Sequence, residues 1–268
     1  MRPRHRLWAL PIAAFLAAVP LRAQFPITLQ QRTIQEFDAY AQKIETQLAK
    51  RWHGQQEFLA IDGTAGARQK VLNGEISIRS EVADNPVEIF EGLIHDWTGD
   101  VFLPNISMGR VLSILQDFDR HAQIYPETSR SRLLQRTGNH FSGYWRLEKK
   151  DQILPVVLDA IDEADYEPAG AGKWICRAYA KDIREVENAG NSREKKLPLG
   201  RGRGFLWRLY GYWSLEAVNG GVLAECRTLS LSRSVPPGFG WAVKPVIKSL
   251  PRESLTSTLR NTRSWAAK

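Results

Sequence analysis

The chain has 268 residues, 43% of them hydrophobic and 25% charged, and carries a formal net charge of +8 at pH 7. A chain of this length fits one large domain, or one domain with an extension. Half of this net charge comes from four arginines near the N-terminus, Arg2, Arg4, Arg6 and Arg22. The remaining excess is mild and, without a clustered basic face, it excludes a prediction of nucleic-acid binding.

The N-terminal residues have the pattern of an export signal. Three arginines precede an apolar run from Leu7 to Val19, and Pro20 and the small Ala23 follow it. The run is too short to span a bilayer as a mature anchor. We therefore expect residues 1–23 to be a signal peptide that is cleaved near Ala23, and the mature protein to be periplasmic or secreted. The alternative is that the segment stays uncut as an anchor.

Residues 24–87 are predicted to be an N-terminal extension made of a helix and a strand. Apolar residues at spacings of three and four predict an amphipathic helix over residues 28–51. Residues 67–82 are predicted to be a strand, because Ile76 and Ile78 alternate there with polar side chains. This extension is expected to lean on the main domain.

Residues 88–268 have the pattern of one α+β domain. Gly92–Pro104 is a predicted strand, and Ser107 is the predicted N-cap of the helix that follows it. Asn219 and Gly220 predict a tight turn between the last two strands. Further strands are predicted at residues 131–137, 140–150, 153–166, 173–187, 205–218 and 222–235, and a long helix at 238–265.

Several segments occur in a characteristic order along residues 92–263: IHDWTGDVFLPNISMGRVLSILQDFDRHAQIYPE, GFLWRLYGYWSLE, LSLSRSVPPGFGW and PRESLTSTLRNTR. Together they resemble the START-like, or SRPBCC, superfamily. The resemblance implies a helix-grip fold, in which a curved antiparallel sheet wraps around a long C-terminal α-helix and leaves a ligand cavity between them. It does not fix the function, because the superfamily includes lipid carriers, polyketide cyclases, coenzyme-Q-binding proteins and plant hormone receptors.

The resemblance and the alternation of side chains together predict which residues line such a cavity. If the small residues of the last strand face inward, opposite the tryptophans, they leave empty volume that a ligand can fill. The alternative is that the same residues form an ordinary core. The expected ligand is an apolar small molecule, such as a lipid, quinone, isoprenoid or aromatic metabolite, and no cofactor or metal is predicted. The predicted ligand-binding residues are Trp145, Trp207, Trp213, Cys226, Thr228, Trp241 and Ile247.

Two other functions stay open. One is an enzyme of the cyclase or aromatase kind, for which Tyr125, His121 and Arg146 are the candidate proton-transfer or binding groups. The other is an interaction protein of the cell envelope, with the N-terminal helix as its docking element. No catalytic residue is assigned, because no sequence motif of a nucleophile, metal or phosphate site is present. Most charged residues on the strands are expected to form weak ion pairs on an outer sheet face.

The remaining expectations concern the cysteines, the surface and the state of association. Cys176 and Cys226 lie on predicted strands, and an oxidising compartment would permit a disulfide, although two buried thiols explain them equally well. The basic loop at residues 193–203 is a candidate for peripheral contact with an anionic membrane surface. The protein is expected to be a monomer.

Overall fold

A computed structural model describes residues 27–149, 156–234 and 240–268, with the backbone alone described for 240–248. The predicted signal peptide and its cleavage point lie outside the described residues. The helices are α1 (Gln31–Trp52), α2 (Ala67–Leu72), α3 (Met108–Leu115), α4 (His121–Ile124) and α5 (Gly240–Ala266). The strands are β1 (Ile27–Thr28), β2 (Ser77–Ser80), β3 (Val87–Ile89), β4 (Gly92–Pro104), β5 (Thr128–Thr137), β6 (His140–Lys149), β7 (Val156–Pro168), β8 (Lys173–Glu187), β9 (Lys195–Lys196), β10 (Arg201–Gly202), β11 (Arg208–Val218) and β12 (Gly221–Arg233).

Ten of these strands form one curved antiparallel sheet. Its main path runs β2-β4-β12-β11-β8-β7-β6-β5, with β3 paired to β4 and β9 paired to β8. The chain then closes with α5, which packs on β4, β12, β2 and α3. A curved antiparallel sheet that holds a long C-terminal helix is the helix-grip fold, so the predicted fold class is confirmed.

The sheet has two covered faces, which we name by the helix that each one meets. The outer face meets α1, whose buried residues Phe37, Ile44 and Leu48 pack with Leu223 and Leu229 of β12. An amphipathic helix and an alternating strand each have one apolar side, and here the two sides bury one another. The predicted N-terminal extension is therefore a full layer of the fold.

The inner face meets α5. At its centre, Leu255 and Leu259 of α5 lie against Gly99 of β4, and Val101 and Leu103 of the same strand belong to the same apolar cluster. Because Gly99 has no side chain, the helix approaches the sheet closely at this point. Strand alternation then decides the face of every neighbouring residue.

Several predicted boundaries are confirmed closely. β4 and β8 match their predicted spans, and the Ser107 side chain accepts a hydrogen bond from the Arg110 N–H at 3.3 Å, as an N-cap should. The turn between β11 and β12 consists of Asn219 and Gly220, and only Gly220 has a positive φ. Among the described residues, no helix has the length and apolarity that crossing a bilayer requires.

The strand predicted over residues 67–82 is wrong in its first half. Residues Ala67–Leu72 form α2, which starts after Gly66 and ends before Gly74, both with positive φ. Only Ser77–Ser80 is a strand. The alternation of Ile76 and Ile78 was a correct signal for this short strand, but it does not extend into the preceding residues.

Candidate functional site

The middle of the inner face carries a row of small or polar residues, which we call the central row. It consists of Ala178 on β8, Gly211 on β11, Thr228 on β12 and Trp97 on β4, each directly opposite the next. Directly paired residues of an antiparallel sheet point to the same side. All four residues keep accessible surface, although they lie on central strands of the sheet.

Gly211 shows the openness of this row most clearly. A Cβ atom added at Gly211 would meet only the Ala178 Cβ within 4 Å, at 3.9 Å, among the described residues. At the other two inner-face glycines, neighbouring side chains already occupy the space that a Cβ atom would need. At Gly99 the added atom would lie 2.6 Å from Leu259, and at Gly143 it would overlap the Phe118 ring. The inner face is thus tightly packed on either side of an open centre.

Two separate apolar clusters flank the central row. The larger one is the α5 contact region around Trp213 and Leu215, with the ring of Phe118 at its edge. The smaller one consists of buried Leu158, Ala160, Ala180 and Ile183. A filled core usually forms one contiguous cluster, so the separation of the two marks a gap in the described packing.

Asp162 lies on the inner face beside the central row. Regular alternation along β7 puts its carboxyl on the same side as Ala160 and Ala164, and its cross-strand partners are Gly143 and Ala180. The residue is 3% exposed, and no described group donates a hydrogen bond to its carboxyl. Burial, with a smaller effect from Glu163, raises the pKa of this carboxyl to about 7. A buried carboxyl without a partner is rare in folded proteins.

Several neutral polar groups lie on the inner side of the sheet. The Tyr166 O–H donates to the Leu115 carbonyl at 3.0 Å, and the Tyr125 and Thr262 hydroxyls lie 3.2 Å apart. Burial raises the pKa of Tyr125 to about 12 and also raises the pKa of the Cys176 thiol, where the Asp162 charge adds to the effect. These groups are therefore uncharged at neutral pH.

His121 and Trp145 form one wall of the inner face. The His121 Nε2 lies 3.1 Å from the Leu115 carbonyl, so the proton is assigned to Nε2, and Nδ1 has no partner among the described residues. Burial lowers the pKa of this histidine to about 4, which keeps it neutral. The Trp145 Nε1–H is likewise unpartnered in the described structure, and the two rings lie 5.9 Å apart.

The predicted lining residues do not all lie on the same face of the sheet. The structure places Trp145, Trp213, Cys226 and Thr228 on the inner face, and Thr228 belongs to the central row. Trp207 was also predicted there, but it packs in the outer cluster with α1. It precedes the first paired residue of β11, so the alternation of that strand does not extend to it. The side chains of Trp241 and Ile247 lie outside the described residues.

The two cysteines are buried and free. Both point to the inner face, and Trp213 on β11 lies between them as the direct partner of each. Two strand spacings separate Cys176 from Cys226, which is about 9–10 Å. That separation exceeds the Cα distance that a disulfide can span. The permitted disulfide is therefore ruled out in this fold.

The charged residues of the strands lie on the outer face, but they are not the exposed pairs that were predicted. Arg146 donates to Asp159 at 2.8 Å with both side chains buried, so it is not a group of the inner face. Arg227 donates to Asp96 at 2.8 and 2.6 Å beneath α1. The outer face was expected to meet solvent, but α1 covers the Arg227–Asp96 pair, and Glu194 and Lys196 contact the Arg146–Asp159 pair.

Other clusters raised by the sequence are structural. His95 faces inward and lies 3.1 Å from the Ser232 hydroxyl, whereas its neighbour Asp96 faces outward. Asp119 accepts a hydrogen bond from the Leu133 N–H at 2.9 Å. Within the described ranges, no group of side chains has the arrangement of a metal site.

Sequence reasoning missed Gly211, Ala178 and Asp162. The signal for the first two was available, since small residues on facing strands leave room wherever the strands are neighbours. The sequence did not show that β8 pairs with β11, because a long loop separates the two strands along the chain. Plain alternation along β7 puts Asp162 on the side of Ala160 and Ala164, but the sequence did not show which side of β7 is the inner one.

Two clefts on the surface are separate from the central row. One has a volume of about 650 Å³ and lies between the end of α1 and the β7–β8 turn, with Trp52, Phe58 and Lys173 in its walls. The other, of about 280 Å³, lies beside Phe118 and Phe141. Both are open to solvent, and neither contains a buried unpaired group of the kind found at Asp162.

Comparisons with known proteins give structural likeness alone. No family model and no curated protein matches this chain. One similar solved structure is a STAR-related lipid transfer protein from Xanthomonas axonopodis, at 21% identity, 72% of this chain, 99% of that chain and a TM-score of 0.48. Another is the Zhui aromatase/cyclase from Streptomyces sp. R1128, which is 12% identical over 66% of this chain and 94% of that chain, with a TM-score of 0.42. A third is human STARD10, which is 11% identical over 73% of this chain and 76% of that chain, with a TM-score of 0.42.

Proposed function

We propose that this protein binds an apolar small molecule on the inner face of its sheet, beneath α5. The observation that carries the proposal is the open central row, in which Gly211, Ala178 and Thr228 keep accessible surface between two apolar clusters. Burial of apolar ligand surface there is worth about 25 cal/mol per Å². Aromatic rings at Trp97, Trp145 and Trp213 supply the walls that ligand pockets commonly have.

The finer part of the proposal concerns the ligand and the place of action. A lipid, quinone, isoprenoid or aromatic metabolite has the apolar area that this face can bury. The N-terminal pattern of arginines, apolar run and Ala23 supports export of the protein to the periplasm or beyond. A monomer that carries one ligand needs no further partner, and a basic loop at residues 193–203 offers a contact with anionic lipid headgroups.

The loop itself has a folded structure that any membrane contact must use. Its backbone N–H groups at Arg203 and Gly204 each donate to the Glu185 carboxylate at 2.8 Å. β10 within the loop also pairs with β1 at the start of the chain. Arg193, Lys195 and Lys196 lie in its exposed part.

The test of ligand binding uses native mass spectrometry and a hydrocarbon dye. Gently purified wild-type protein is expected to carry co-purified apolar mass or, once stripped, to bind diphenylhexatriene with one saturable site. Thr228→Trp fills the central row and should weaken dye binding at least tenfold. Thr137→Trp, at an exposed position on β5, makes the same change away from the site and should leave binding unchanged. A wild-type protein with no bound mass and no dye binding would reject the proposal.

A second candidate, an enzyme of the cyclase kind, is favoured by one observation. The Asp162 carboxyl is buried on the inner face with a pKa of about 7, which suits a general acid or base near neutral pH. Of the groups nominated from sequence, Arg146 lies on the other face, whereas His121 and Tyr125 do lie on the inner side. Analysis of the released compound distinguishes a carrier from an enzyme. A carrier releases the compound unchanged, whereas an enzyme releases it with a different mass or isomeric form.

A further inference from the structure

Asp162 is the one described ionisable carboxyl that faces the inner side without a partner, and it tells us which ligands fit there. It is 3% exposed, and residues without large side chains surround it on three strands, namely Gly143, Ala160, Ala164 and Ala180. None of these neighbours can donate a side-chain hydrogen bond. The carboxyl therefore has unused acceptor positions in the part of the face where the packing opens.

The arginines of the neighbouring strands cannot compensate this carboxyl. Arg146, Arg177 and Arg227 all point to the outer face, where Arg146 and Arg227 pair with carboxylates and Arg177 lies over the Trp52 ring, 5.0 Å from its centroid. A ligand carboxylate placed near Asp162 would meet a second acid, with no intervening cation among the described side chains. Two like groups in a buried site repel each other strongly.

We infer that the ligand of the inner face carries a hydrogen-bond donor, an amine or a hydroxyl, at its polar end and gives that hydrogen bond to Asp162. This inference rests on the proposed function and narrows it. An apolar tail would lie along the central row, and the head group would reach the Asp162 carboxyl on the neighbouring row. Free carboxylic acids, such as fatty acids, are excluded as the preferred ligands.

Head-group competition tests the inference with the folded full chain. Diphenylhexatriene has no polar group, so its binding reports the apolar site alone. Octylamine, 1-octanol and octanoate share one tail length and are compared as competitors at pH 7. Wild-type protein is expected to bind the amine and the alcohol at least tenfold more tightly than octanoate.

Substitutions at Asp162 separate the two kinds of donor. Asp162→Asn keeps a neutral acceptor, so it should weaken octylamine at least tenfold and change 1-octanol less than threefold. Asp162→Leu removes every acceptor and should weaken both, with dye binding retained. Asp165→Asn, on the same strand but on the outer face and half exposed, is the matched control and should change none of these affinities. Thermal melting of each variant confirms that it is folded.

The outcomes distinguish this inference from the proposed function. If the wild type binds the dye but binds octanoate as tightly as octylamine, the inference is overturned and the apolar site stands. The same holds if the head-group preference survives in Asp162→Leu. If the wild type binds no dye, both are overturned together. If only octylamine depends on Asp162, the polar end is an amine, and if 1-octanol depends on it as well, a hydroxyl suffices.

Discussion

The two faces of the sheet treat buried carboxyl groups in opposite ways. On the outer face, Asp96 accepts two hydrogen bonds from Arg227, at 2.8 and 2.6 Å, and a third from the Tyr40 O–H at 2.7 Å. On the inner face, Asp162 accepts none from the described residues, although it is as deeply buried. Native proteins satisfy nearly all buried polar groups. Asp96 thus finds its donors within the fold, whereas the described residues supply none to the Asp162 carboxyl.

The same contrast holds for other charges beneath α1. Glu225 accepts from Arg51 at 2.5 Å and from the Ala60 N–H at 2.7 Å, and Arg79 pairs with both Glu225 and Asp100. The pKa of Asp100 is raised by its burial and by Glu225 beside it. Each charge in this network has an opposite charge within reach. α1 is therefore fixed to the sheet by charge pairing as well as by apolar packing.

The largest expected effect comes from breaking the outer-face pairing. Arg227→Ala leaves the Asp96 carboxylate buried with only the Tyr40 hydroxyl, and loss of one partner of a buried ion pair costs about 3–5 kcal/mol. Denaturant unfolding measures this change. Arg32→Ala removes an exposed i, i+4 pair on α1 and should have little effect. A loss below about 1 kcal/mol for Arg227→Ala would mean that Asp96 and Arg227 are not a buried ion pair as described above.

A matched pair of glycine substitutions compares packed and open positions of the inner face. Gly99→Val pushes against Leu259 and Ile78 and should lose about 1–3 kcal/mol, as overpacked cores do. Gly211→Val has room for its side chain and should stay within about 1 kcal/mol of the wild type, because valine also favours strands. Thermal or denaturant unfolding of both variants gives the comparison. Equal losses at the two positions would contradict the open central row.

The pH dependence of stability isolates Asp162. Its carboxyl pKa is raised from 3.8 in the unfolded chain to about 7 in the fold, so the folded state holds the proton over this range and the unfolded state does not. Wild-type protein should therefore lose stability as the pH rises from about 4 to about 7, by roughly 1.4 kcal/mol per pH unit at most. Asp162→Asn removes this loss, and the difference from wild type should be flat above about pH 7.

The two buried histidines act in the opposite direction, and the variant comparison cancels them. Burial lowers the pKa of His95 and of His121 from 6.5 to about 4. Each therefore adds stability as the pH rises from about 4 to about 6.5, in wild type and variant alike. Urea unfolding at several pH values gives the difference curve. A difference that does not change with pH would show that Asp162 ionises normally and is not buried as described.

The smallest expected effect concerns the cysteines. Because Cys176 and Cys226 are separated by β11, a reducing agent should not change the melting temperature of the purified protein. Burial raises the pKa of both thiols, so a thiol reagent should react with neither in the native state and with both after unfolding. Fewer than two reactive thiols in unfolded, unreduced protein would contradict the strand order.

Sequence reasoning succeeded where the signal was local. The spans of β4 and β8, the Ser107 cap and the closing helix all follow from alternation, capping and turn residues within a few positions of one another. The helix over residues 28–51 was also predicted, within a few residues of its observed bounds. These element types are therefore readable from short segments, whereas α2 was mistaken for a strand.

Sequence reasoning failed where the answer depended on which surfaces meet. Nothing in residues 28–51 says that they cover the outer face, so Glu225 and Arg227 were read as solvent-exposed charges and Trp207 as a lining residue. The alternation of β12 divided its residues correctly into two sets, but only the position of α5 shows that the set with Cys226 faces inward.

The central claim is that the middle of the inner face borders open apolar space beneath α5. Diffraction from crystals pressurised with xenon tests it directly, since xenon enters dry apolar cavities that can hold it. We expect xenon in van der Waals contact with Ala178 and Thr228, close to Gly211. A xenon-free inner face, with side chains of residues 240–248 packed against these three residues, would contradict it.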